Sequence, residues 1–172
     1  MLYKKEEFDE RIKDWNKKLE EHILPKWEEF PAFELYMDQV IVLVNKYLSI
    51  LENGEERVLT PSMINNYVKQ KTVLPPVKKR YSRVHVAYLI MICILKQSLS
   101  IAMIQKILPI DEIGEDIADI YNEFVEIQNK KFIEVTKEVE ERYNEEHFSD
   151  KLIMEIAVSA NVHNIIAEKL GK

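Results

Sequence analysis

The chain is poor in the residues on which several kinds of protein depend. One cysteine, Cys93, in 172 residues excludes an intrachain disulfide and any cysteine-based metal site. It fits a reducing compartment. Three glycines leave no material for a glycine-rich phosphate loop. Six prolines without a Pro/Gly-rich stretch argue against low complexity. The longest apolar run, residues 86–95, is about half of what a membrane helix needs. The opening MLYKKEEFDERIKDW is charged from residue 4 and lacks the apolar segment of a signal peptide. A soluble, cytoplasmic protein without a membrane partner is expected. His22, His85, His147 and His163 lie far apart, with no metal-ligand spacing. Cys93 sits in the most apolar stretch, as a small core residue would. No catalytic group, metal or cofactor is expected, and the chain is not expected to be an enzyme.

A further absence is confined to one window. The net charge is −6, yet residues 57–110 hold nine basic side chains and no Asp or Glu. The window is therefore +9 and the remainder −15. Ordinary solvated surfaces mix both signs. Burial accounts for the missing acids over residues 86–95 but not for the cluster VKKRYSR. Excluding carboxylates avoids repulsion with a polyanion, and nucleic acid is the commonest one.

What is present reads as helix. Phe8, Ile12, Trp15 and Leu19 form one apolar stripe ended by Pro25, with Trp15 and Trp27 expected in core packing. Residues 35–51 make a strongly apolar helix, stopped at Asn53-Gly54. Thr60-Pro61 starts the next, an N-cap followed by proline at the first helical position. On a 100° wheel, Met63, Ile64, Tyr67 and Val68 share one arc. Ser62, Asn65, Asn66, Lys69 and Gln70 take the other. Asn and Gln can pair bidentately with adenine, and Lys with guanine or phosphate. Asn is also a weak helix former. Pro75-Pro76 then ends any helix, and residues 77–81 have room only for a small β-hairpin or arm. Lys78, Lys79, Arg80 and Arg83 are placed there to grip phosphates. Ser82 caps a buried helix, and a short helix over residues 99–108 follows.

This order resembles the MerR family of winged helix-turn-helix proteins. The pieces that carry the likeness are Asn65-Asn66-Tyr67, Leu74-Pro75-Pro76, Arg80-Tyr81, residues 89–95 and residues 99–108. The blocks LYMDQV, LTPSMINNYVK, KKRYSRVH and LSIAMIQKIL more closely resemble a bacterial family of unknown function described as MerR-like. The resemblance implies a recognition helix, a proline-containing wing, and dimerisation through a long antiparallel helix.

The C-terminal third is acidic, with 13 acids against four bases over residues 111–147. Ile113, Ile117, Ile120, Phe124 and Ile127 recur at spacings of four, three, four and three, a heptad seam, interrupted at residues 129–131. Such a stripe needs a partner, and a homodimer is favoured over coverage by the chain's own terminal helices. The expected architecture is all-α with a small β-wing: an amphipathic helix over residues 1–30, a winged helix-turn-helix over 31–108, and long dimerisation helices over 109–172. The expected function is a sequence-specific, homodimeric regulator of transcription that binds double-stranded DNA. A helical scaffold module or an RNA binder using the same patch is the alternative. RNA readers usually interleave exposed aromatics with basic residues, and here only Tyr67 and Tyr81 lie near the patch. No small-molecule effector is indicated.

Overall fold

The computed structural model describes residues 5–21, 23–52, 57–108, 110, 116–146 and 149–171. Among them run seven α-helices: α1 (Lys5–Glu21), α2 (Met37–Tyr47), α3 (Pro61–Lys69), α4 (Arg83–Leu95), α5 (Ile101–Ile107), α6 (Ile117–Glu146) and α7 (Ser149–Leu170). The protein is all-α. No strand occurs among the described residues, only the isolated antiparallel bridges Leu35↔Tyr81 and Val77↔Arg80. No described helix is long and apolar enough to cross a membrane.

Two compact units divide the chain, Leu24–Glu126 and Met1–Ile23 with Ile127–Lys172. The first holds nearly all the buried side chains. Residues 86–93 of α4 are apolar all round apart from their backbone, and every one is buried. A helix without a polar face can only sit at the centre. Around it pack α2, through Val40, Ile41 and Val44, and α3, through Ile64 and Tyr67. Helix α2 starts later than its apolar pattern predicts. Leu35 is drawn into the bridge with Tyr81, and Tyr36 becomes the N-cap. Asn53-Gly54 lies outside the described residues.

Helix α6 runs unbroken through residues 129–131. Lys130 and Lys131 pair with Glu134 at 3.7 and 2.7 Å, the i,i+4 and i,i+3 contacts that support an exposed helix. Its first turns belong to the core of the larger unit. Ile117, Tyr121 and Val125 are buried there, with Ile120 and Phe124 packed against them. Tyr121 Oη donates to Pro25 O at 3.0 Å, and Asn122 Oδ1 accepts from Trp27 N–H at 2.8 Å. The seam expected to face a second copy is thus used within the chain as far as Phe124. Ile127 alone of the named positions is well exposed, at 56%, while Ile113 lies outside the described residues.

Among the described residues of the second unit only Leu152 is a buried apolar side chain. Trp15, expected in a core, is 39% exposed and stacks on Phe132 of α6 with centroids 6.2 Å apart. Its Nε1–H donates to Thr136 Oγ1 at 3.4 Å. Trp27, in the other unit, is half-buried against the core.

Candidate nucleic-acid interface

The polar face of α3 is held at both ends. Thr60 Oγ1 accepts from Met63 N–H at 3.4 Å, and Pro61 occupies the first turn, as the sequence leads one to expect. Just before it, the backbone of Leu59 is clasped by the buried side chain of Asn45 on α2. At the far end, Gln105 of α5 donates to Gln70 O at 2.7 Å and to Thr72 Oγ1 at 3.1 Å. Fixed in this way, α3 buries Ile64 and Tyr67, half-buries Met63 and Val68, and exposes Ser62, Asn65, Asn66, Lys69 and Gln70. Burial pushes the Tyr67 hydroxyl up to about 12, so it stays neutral.

The basic cluster forms a two-residue turn. Val77 and Arg80 exchange backbone hydrogen bonds at 3.1 and 2.9 Å. Lys78 and Lys79 at the tip have φ of 50° and 64°, as a type I′ hairpin turn requires at both central positions. Asn-Gly is the usual choice there, because a Cβ disfavours the left-handed region by roughly 1–2 kcal/mol per residue. Lys71, which follows the end of α3, has φ 56°. These three lysines, all in the acid-free window, are the only non-glycine residues with positive φ among the described residues.

The base of the turn is pinned. Leu35 and Tyr81 exchange two backbone bonds of 2.8 Å. His85 Nδ1 accepts from the Ser82 N–H at 3.0 Å, which leaves the ring hydrogen on Nε2, 3.4 Å from Pro75 O. The same ring meets Tyr81 edge-on at 5.3 Å.

The four basic residues named from sequence divide into two kinds. Lys78 and Lys79 are exposed. Arg80 is half-buried, its guanidinium 3.7 Å from the centroid of Tyr36, a cation–π contact. Arg83 is also half-buried, and its Nε donates to Pro31 O at 3.2 Å. Arg80 and Arg83 therefore brace the turn. Among the described residues, no ion pair involves Lys69, Lys71, Lys78 or Lys79.

A cleft of about 670 Å³ brings helix and turn together. Asn65 and Val68 of α3 line one side, and Pro76, Lys79 and Tyr81 the other. Tyr36, Met37 and Asp38 from the start of α2 close it. Asn65 and Lys79, fourteen positions apart, thus share one concave surface. Asp38 is the carboxylate on its wall. Tyr36, Asn45 and Gln105 have structural parts here that sequence reasoning missed. No periodicity marks these side chains, since each has a partner distant in sequence: Arg80 for Tyr36, Leu59 for Asn45, Gln70 and Thr72 for Gln105.

The remaining candidates for chemistry are quiet. Cys93 is fully buried, and burial pushes its thiol up to about 11. Among the described residues no three His, Cys, Asp or Glu side chains come together as a metal site.

The fold and this surface define an all-helical protein whose basic surface is drawn mainly from an acid-free stretch of sequence. Residues 25–126, more than half of the chain, match the family model described as Domain of unknown function (DUF1836), and the chain belongs to that family. The match coincides with the compact unit Leu24–Glu126. No significant match is found among curated proteins or solved structures. The resemblance to MerR proteins is overturned, because nothing in these comparisons points to that family or to a winged helix-turn-helix. A succession of short helices broken by a proline turn and a basic pair is a pattern too general to specify one family.

Proposed function

We propose that this protein binds double-stranded DNA in a sequence-specific manner, regulates transcription, and acts as a homodimer. One observation carries the proposal: the polar face of α3, which bears no acid, and the Lys78–Lys79 turn are exposed side by side, with Asn65 and Lys79 on the same cleft. Ser62, Asn65, Asn66 and Lys69 would meet base edges, while Lys78 and Lys79 hold phosphates and fix register. Arg80 and Arg83 keep the turn in place through Tyr36 and Pro31.

Lysines with left-handed backbone add support. Strained positions of this kind cost stability and concentrate at functional sites. A charge retained there is more useful than an easier turn.

Selection of bound fragments from genomic DNA, followed by sequencing, tests the proposal. Inverted-repeat sites are expected of a two-fold reader. Asn65→Ala and Asn66→Ala are expected to relax base preference at the contacted positions, by about 1–3 kcal/mol for each lost bidentate pair. Fragments without a common motif, or tighter capture of single-stranded RNA than of duplex, would reject it.

A further inference from the structure

We propose that His85 positions the lysine turn: its neutral ring ties together the two ends of residues 75–82, and protonation of the ring lets Lys78 and Lys79 go. The effect on DNA rests on the function proposed above, whereas the effect on the turn stands on the structure alone. His85 is the third residue of α4 and is buried. Its Nδ1 accepts from the N–H of Ser82, just after the turn, at 3.0 Å. Its Nε2 lies 3.4 Å from the carbonyl oxygen of Pro75, just before the turn. One ring therefore spans both feet of the segment that carries Lys78 and Lys79. Helices capped by serine often place Glu or Gln at this third position to accept the same N–H. Either would serve the cap, but neither changes charge between pH 5 and 8 at its ordinary pKa, and histidine does.

The turn has reason to depend on such a tie. Lys78 and Lys79 both hold left-handed backbone, with φ of 50° and 64°, and strained positions persist only where the surroundings over-determine them. Two backbone bonds between Val77 and Arg80 close the turn itself. A proton on Nδ1 sets two donors, the ring and the Ser82 N–H, face to face. The Ser82 hydroxyl, also 3.0 Å from Nδ1, can rotate to accept from the charged ring, but the N–H then loses its acceptor. Of the described titratable groups, Tyr81 and Glu34 bear on the ring. Burial keeps the Tyr81 hydroxyl neutral, and the Glu34 carboxylate favours the charged ring. Arg83, on the same helix, is engaged with Pro31 O. Burial outweighs Glu34 and favours the neutral ring.

Nuclear magnetic resonance and duplex binding on the full chain, from pH 7.5 to 5, read the two effects separately. As the His85 ring titrates, the Cα and Cβ shifts of Lys78 and Lys79, which report left-handed φ, should move toward random-chain values. Those of residues 89–93, in the buried centre of α4, should stay. Duplex affinity at about 0.1 M salt should fall at least about tenfold over the same interval, with the salt slope approaching that of Lys78→Ala with Lys79→Ala. Net charge alone predicts the opposite, since acid makes the chain more positive and a polyanion better held. His85→Gln, which keeps an acceptor and a donor without titrating, should hold turn and affinity steady. If that variant fails to fold, coincidence of the ring and turn titrations in the wild type carries the test. Lysine shifts that ignore the ring's titration, a ring that stays neutral throughout, loss of turn and helix signals together, or a measurable duplex affinity that does not fall would overturn the inference. Release of the turn with the ring's titration, in a chain that binds no duplex at any pH, would uphold the tie and reject the DNA reading alone.

Discussion

Asn45 holds both backbone groups of Leu59: its Oδ1 accepts from the Leu59 N–H at 2.9 Å, and its Nδ2 donates to the Leu59 carbonyl at 2.9 Å. The same Nδ2 reaches Ile41 O at 2.9 Å. This buried amide does the work of a strand partner where no strand exists, and it fixes the residue before the cap of α3. Asn45→Ala would leave the two groups of Leu59 buried without partners. A loss of about 2–4 kcal/mol is expected, measured by urea unfolding. Unchanged stability would mean that water or a backbone shift replaces the clasp.

His85 gives the fold a pH dependence. Burial lowers its pKa, against smaller opposing contributions from Pro75 O, Glu34 and Leu74 O. The folded state keeps the ring neutral because protonation would turn Nδ1 from the acceptor of the Ser82 N–H into a donor. The unfolded chain takes up the proton near pH 6.5. Stability is therefore complete above that value and is lost as pH falls toward the depressed folded pKa. Comparing thermal midpoints of wild type and His85→Gln from pH 7.5 to 5 checks this. The wild type should lose more of its stability over that interval, and parallel curves would exclude His85 as the source.

The lysine turn sets stability against binding. Lys78→Asn with Lys79→Gly installs the sequence that a type I′ turn prefers. Relief of left-handed strain is expected to raise unfolding stability by about 1–2 kcal/mol, while two exposed charges are lost. Denaturant midpoints should rise as duplex affinity falls. A variant that is more stable and binds DNA equally well would remove these lysines from the interface.

Much of the larger unit is legible in the sequence. The Thr60-Pro61 start, the two arcs of α3 and the buried centre of α4 follow from capping chemistry and 3.6-residue periodicity. The pattern of α6 was equally visible, but its partner was not. A heptad stripe states that a face is apolar and leaves open what covers it. Residues 24–30 and the core of the same chain cover Ile117, Tyr121 and Val125. Ile120→Asp or Phe124→Asp should consequently destabilise the fold, and not simply separate two copies. Neither Arg80 on Tyr36 nor Arg83 on Pro31 could be foreseen, because a basic run does not distinguish side chains that face solvent from those that brace the turn.

Salt dependence of duplex binding bears most directly on the proposed interface. Affinity of the full chain for a duplex is measured from low to moderate salt, for wild type and for Lys78→Ala with Lys79→Ala. The wild-type plot of log affinity against log salt should fall linearly. The double substitution should flatten it by about 0.9 per phosphate contact removed, or about 1.8 if both lysines touch phosphate. Its fold stability should be nearly unchanged, because exposed charges contribute little. No duplex binding at low salt, or a slope that both substitutions leave untouched, would contradict the assignment of the basic surface to DNA.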